Sequence, residues 1–70
     1  MHYIRRIRDL REDADLTQQK LAQHLNINQR AYSHYEKGDR EIPLIVLIEI
    51  ADFYDVSLDY LVGRTNKKKS

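Results

Sequence analysis

The chain has no cysteine and no tryptophan, and only one proline and two glycines among its 70 residues. Without cysteine, neither a disulfide nor a thiolate-held metal can brace the fold, and a reducing, cytoplasmic setting is the expected one. So few glycines and prolines leave little room for hairpin turns, and the composition favours helices. No apolar run approaches the roughly 20 residues needed to cross a bilayer. Arginines interrupt the apolar pattern of MHYIRRIRDL, so no secretory leader is expected, and no membrane partner either. A chain of this size makes one small domain with a modest core, whose stability is on the order of 5 kcal/mol or below. Oligomerisation is the remaining common way to add buried area.

Charge is small in total, +1, but unevenly placed. Residues 17–40 carry Lys20, Arg30, Lys37 and Arg40 against Glu36 and Asp39. Residues 41–60 carry Glu41, Glu49, Asp52, Asp55 and Asp59 and no base. The end of the chain is basic through Arg64, Lys67, Lys68 and Lys69. A polyanion would meet the middle of the chain and avoid residues 41–60.

Hydrophobic spacing predicts five helices. Ile4, Ile7, Leu10 and Ala14 recur at helical intervals, giving a first helix over Tyr3–Asp13. Thr17 has the chemistry of an N-cap for a second helix with Leu21, Ala22 and Leu25 inward, and Asn26 tolerates the left-handed turn that ends it. Asn28 caps a third helix that runs to Lys37, with Gly38 as its stop and Tyr32 and Tyr35 inward. Pro43 suits the first position of a fourth helix, whose core face is read as Leu44, Leu47, Ile48, Ala51 and Tyr54. Ser57 caps a short fifth helix with Leu58 and Leu61 inward. The boundaries expected are a domain over residues 1–63 and a basic, solvated and frayed tail over residues 64–70.

The second and third helices, joined by a tight turn, meet the steric demands of a helix-turn-helix. Ala22 is small enough for a close crossing, Asn26 accepts the turn, and Ile27 plugs the corner. Tracts from Ile7 to Gly63 carry a specific likeness: Leu10-Arg11, Thr17-Gln18 with Leu21-Ala22, Tyr35-Glu36-Lys37-Gly38, Ile50-Ala51 and Val56-Ser57-Leu58-Asp59-Tyr60-Leu61. In these the chain resembles the Cro/repressor, or xenobiotic-response-element, family. It departs from the family pattern at Asn26, where glycine is usual, and at Ile45, a position commonly polar.

The resemblance implies an all-α, compact five-helix lambda-repressor-like domain whose third helix enters the major groove of double-stranded DNA. It implies Asn28, Gln29, Arg30, Ser33 and His34 as the groups facing base edges, and Gln18 as a phosphate anchor at the start of the second helix. The side-chain types fit: glutamine can grip adenine and arginine can grip guanine, each in a bidentate way. Lys37 and Arg40 are expected to reach phosphates. Arg11 and Glu36 correspond to an ion pair tying the first helix to the third; its blander reading is an exposed pair worth ~0–1 kcal/mol.

The fourth helix is apolar nearly all round, with Val46, Ile50 and Phe53 as a second stripe beside Ile45, which suggests a partner surface. The expected partner is a second copy, through Phe53, Leu58, Tyr60 and Val62, making a homodimer on a near-palindromic operator. Two other function classes remain in view. One is a protein-interaction module, such as an antitoxin or an antagonist of a related regulator. The other is an enzyme, for which no nucleophile–base pair, carboxylate pair or Gly-rich phosphate loop is present, so no catalysis is expected. His2, His24 and His34 are not spaced as ligands on one helix, so neither a metal nor a cofactor is expected.

Overall fold

The computed structural model describes residues 3–69. Met1, His2 and Ser70, which the expected boundaries and the histidine survey include, lie outside the described residues. The described chain is five helices: α1 (Tyr3–Asp13), α2 (Gln18–Leu25), α3 (Gln29–Lys37), α4 (Leu44–Tyr54) and α5 (Leu58–Leu61). α1 packs on α3 and α5, α2 on both α3 and α4, and α4 on α5.

Side-chain caps start three of them. Thr17 Oγ1 accepts from Lys20 N at 3.1 Å, Asn28 Oδ1 from Arg30 N at 2.7 Å and Ala31 N at 3.3 Å, and Ser57 Oγ from Tyr60 N at 3.0 Å. Each bond satisfies donors that the first helical turn leaves unpaired. Pro43 stands one position earlier than expected, at the N-cap of α4 rather than inside it.

All five helices end in the same way. A residue with positive φ follows the last turn: Asp15, Asn26, Gly38, Asp55 and Gly63. The next amide then reaches back to a carbonyl five residues earlier: Leu16 to Arg11, Ile27 to Ala22, Asp39 to His34, Val56 to Ala51 and Arg64 to Asp59, at 2.8–3.1 Å. This is the Schellman closure. A chain with two glycines spends both on it and uses aspartate or asparagine, the side chains that best tolerate the left-handed region, for the rest. At Gly38 a Cβ would also stand 3.4 Å from Ile4 Cδ1.

Ile7, Leu21, Ala22, Leu25, Tyr32, Tyr35, Ile42, Val46, Leu47, Ile50, Ala51 and Leu61 form the core. Leu16, Ile27 and Val56, the residues just past three of the helix ends, pack on it. In α4 the structure corrects the expected core face. Leu44 and Ile48 point outward, 62% and 38% exposed, while Val46 and Ile50 are buried at 7% and 0%. The helix is turned so that Val46, Leu47, Ile50 and Ala51 form the buried arc, and Glu49 and Asp52 sit in water beside Leu44, Ile45 and Ile48.

Tyr54 lies at the edge of this arc, with its Oη buried and without a hydrogen-bond partner among the described residues. Burial pushes its pKa up to about 12. An unpaired buried hydroxyl costs about 1–3 kcal/mol. Tyr54→Phe is therefore expected to leave the domain as stable as the wild type or up to about 1 kcal/mol more so. Urea unfolding at neutral pH checks it; a loss of more than about 1 kcal/mol would mean that the hydroxyl has a partner.

Residues 64–69 lie back along the helices. Arg6 Nη1 donates to Tyr60 O at 2.7 Å and Thr65 O at 3.2 Å, with its guanidinium carbon 4.2 Å from the centre of the Tyr60 ring. Ser57 N donates to Lys68 O at 2.7 Å, and Lys69 Nζ lies 2.8 Å from Asp55 Oδ2. The cationic tail thus follows the acidic end of α4, as opposite charges would direct it.

Candidate nucleic-acid interface

Ala22 is buried where α2 meets α3, and its small side chain lets the two short helices approach closely. Asn26 turns the chain between them with φ 57° and ψ 43°, and Ile27 packs beneath the corner. Tyr32 and Tyr35 anchor α3 in the core. The opposite side of α3 is thereby forced outward. There Gln29, Arg30, Ser33, His34 and Lys37 line one open concavity. Gln29, Arg30 and Lys37 are exposed, and Ser33 and His34 are half-buried.

The other expected site residues have more specific placements. Asn28 stands at the head of α3, but its side-chain oxygen is committed to capping, which leaves only its amide NH2 for a base edge. Gln18 begins α2, yet its Nε2 donates to Glu36 Oε1 at 3.0 Å. The amide is turned into the protein and has one further N–H to offer a phosphate. Arg40 lies exposed in the loop after α3, beyond Lys37 and Asp39. Of the residues expected at a partner surface, Phe53 is partly exposed with its ring 5.1 Å from that of His24. Tyr60 is covered on one face by Arg6, and Leu58 and Val62 pack against the core.

Beneath the outer face, Glu36 is only 4% exposed and accepts four hydrogen bonds. Oε2 takes Arg11 Nε at 2.7 Å and the Tyr32 hydroxyl; Oε1 takes Arg11 Nη2 at 3.1 Å and Gln18 Nε2. Arg11 Nη1 also donates to Leu16 O at 2.7 Å, at the closure of α1. The pair is forked and buried on the carboxylate side, so the exposed-pair reading does not describe it. Burial alone would push the Glu36 carboxyl up. The hydrogen bonds from Arg11, Tyr32 and Gln18 outweigh burial and hold it below its usual range. The bond to Glu36 raises Arg11, and burial together with the same carboxylate raises Tyr32. The network fastens α1, α2 and α3 to one another, and so fixes the angle at which α3 presents its outer side.

The helix-turn-helix family pattern matches residues 7–61, which include every element of this arrangement. The chain belongs to the Cro/C1-type helix-turn-helix family. It is similar to the uncharacterized helix-turn-helix-type transcriptional regulator YobD of Bacillus subtilis (strain 168), 39% identical over 91% of this chain and 57% of the relative. It is similar to the regulator ImmR of the same organism, 34% identical over 93% of this chain and 51% of the relative. It is also similar to the cryptic phage CTXphi transcriptional repressor RstR of Vibrio cholerae, 37% identical over 83% of this chain and 52% of the relative. The chain thus spans about half the length of the curated relatives it matches. No solved structure matches it closely enough to count as a relative.

Two features of this helix-turn-helix were not read from the residues. The Tyr32 hydroxyl joins the Glu36 network, because residues four apart on a helix share a side. Asp39 stands beside His34, with Oδ2 3.4 Å from Nδ1. The signal for the second was present: a glycine stop at Gly38 implies a closure that brings Asp39 back over His34.

Proposed function

We propose that the chain is a sequence-specific, double-stranded-DNA-binding transcriptional regulator, not an enzyme, that works in the cytoplasm as a homodimer, as a repressor, on a near-palindromic operator. One observation carries the reading: Gln29, Arg30, Ser33, His34 and Lys37 share a single open surface on the side of α3 opposite its core tyrosines. A row of amide, guanidinium, hydroxyl and imidazole matches what the major groove offers. In this reading Gln29 and Arg30 read bases, with Asn28, Ser33 and His34 beside them. Lys37, Arg40 and the remaining N–H of Gln18 hold phosphates. The names of the relatives, regulators and a phage repressor, point the same way.

The dimer is proposed through Phe53, Leu58, Tyr60 and Val62, extended by Leu44 and Ile45. These last two are 62% exposed and begin α4 directly after the loop that holds Arg40. Two-fold symmetry there would set two recognition helices one DNA turn apart, roughly 34 Å. The same two exposed side chains favour the second reading, a module that binds another protein.

Selection of bound duplexes from a random pool tests the proposal, with the wild type, Arg30→Ala and Lys37→Ala run in parallel at low salt. Arg30→Ala is expected to relax the preference at one base pair by about 1–3 kcal/mol. Lys37→Ala is expected to weaken binding to all sequences alike. Two variants with the same phenotype would refute the division of roles. A wild type that enriches no motif would favour the protein-binding module.

A further inference from the structure

Building on α3 as the reading element, we propose that Asp39 is a positioning residue that fixes the tautomer of His34, so that the imidazole meets a base edge as a hydrogen-bond acceptor. The geometry of the helix end supports this. At the ends of α1, α2 and α4, the residue after the left-handed position is Leu16, Ile27 or Val56, and it packs on the core. An apolar contact there is the usual companion of the Schellman closure. α3 and α5 depart from it, with Asp39 and Arg64 in that place. At α3 the Asp39 amide donates to the His34 carbonyl at 3.1 Å, and the Asp39 carboxylate Oδ2 lies 3.4 Å from His34 Nδ1. Backbone and side chain thus hold the same two residues together.

The placement of Asp39 is otherwise unfavourable. An exposed carboxylate close to a surface that meets a polyanion repels it, and Asp39 is exposed beside His34, between Lys37 and Arg40 in the chain. Its chemical use follows from the donor and acceptor inventory. A carboxylate only accepts, so the ring nitrogen facing it must carry the proton. A neutral imidazole has one N–H, so Nε2 is left with a lone pair. His34 lines the open concavity with Gln29, Arg30, Ser33 and Lys37. All the charged neighbours lining it, Arg30 and Lys37, are donors without acceptor capacity. An accepting Nε2 complements them. It suits the exocyclic amino groups of adenine or cytosine, which donate in the major groove, and not the guanine N7 and O6 acceptors that Arg30 serves.

Two measurements on the wild type, Asp39→Ala and Asp39→Asn test it. The first is nitrogen-15 NMR of the neutral His34 ring in the free protein at about pH 8. The wild type and Asp39→Asn, whose side-chain oxygen still accepts, should show the Nδ1–H form, and Asp39→Ala should shift toward Nε2–H. The second is duplex selection. Asp39→Ala should move the preference at a single base pair by roughly tenfold toward a base that presents an acceptor. Asp39→Asn should keep the wild-type motif. An Nε2–H ring in the wild type overturns the proposal, as does a tautomer change in Asp39→Ala with every base preference intact. A wild type that shows Nδ1–H yet enriches no sequence sinks the DNA reading, and this assignment with it, while leaving the ring geometry in place.

Discussion

Replacing Arg11 with alanine is expected to remove about 3–5 kcal/mol of folding stability, the usual result of leaving one member of a buried ion pair alone. Glu36 would keep its bonds from Tyr32 and Gln18 but lose both guanidinium contacts while remaining shielded from water. A domain of this size has roughly 0.05–0.15 kcal/mol of stability per residue, so the loss takes most of it. Urea unfolding at neutral pH measures the effect. The pH dependence separates the ion pair from mere packing. In the wild type the folded Glu36 carboxyl is held below its ordinary value, so its contribution is present above about pH 4.3 and fades as the pH falls below that. Without Arg11, desolvation should dominate and raise the folded value. The variant should then be penalised above the ordinary carboxylate range and relieved on acidification. The gap between the two proteins is thus expected to close as the pH falls from 7 toward about 3. A gap that stays constant with pH would assign the effect to lost side-chain contacts.

The second large effect is on binding. If Lys37 and Arg40 of each protomer meet phosphates, a dimer makes about four such contacts. Each releases about 0.9 of a counterion, giving a slope near −3.6 of log affinity against log salt. Raising salt from about 50 to about 200 mM should therefore weaken operator binding roughly 150-fold. Titration of a selected duplex at several salt concentrations checks this. A slope near −1.8 would mean that one protomer binds alone. A slope near zero would remove both residues from the interface. Lys37→Ala in both protomers should bring the slope down by about two.

Local chemistry was the legible part of this fold. Thr17, Asn28 and Ser57 announce helix starts because their side chains bond amides two or three residues on, within the same stretch of chain. Asn26 and Gly38 announce ends for a similarly local reason. The phase of α4 was harder to read, because nine of its 11 residues are apolar and several arcs satisfy a helical period equally. The two that are not, Glu49 and Asp52, lie three apart and mark the wet side; the arc opposite them is Val46, Leu47, Ile50, Ala51 and Tyr54. Apolar spacing alone admits Leu44 and Ile48 equally well; Ile48 is exposed one turn from Asp52, and Leu44 is exposed as the first residue of the helix. At the candidate interface, the side of α3 that faces out follows from Tyr32 and Tyr35 facing in. The inward turn of Gln18 toward Glu36 depends on how α1, α2 and α3 meet, which no single segment encodes.

The most direct test of the claim that the outer face of α3 reads the major groove is chemical interference on a selected duplex. Methylation of guanine N7 marks the major groove, and methylation of adenine N3 marks the minor groove. The expected result is two clusters of N7 interference about one helical turn, roughly 10 base pairs, apart, with one guanine in each losing its effect when Arg30→Ala is used. Interference confined to adenine N3, or N7 signals indifferent to Arg30, would contradict it.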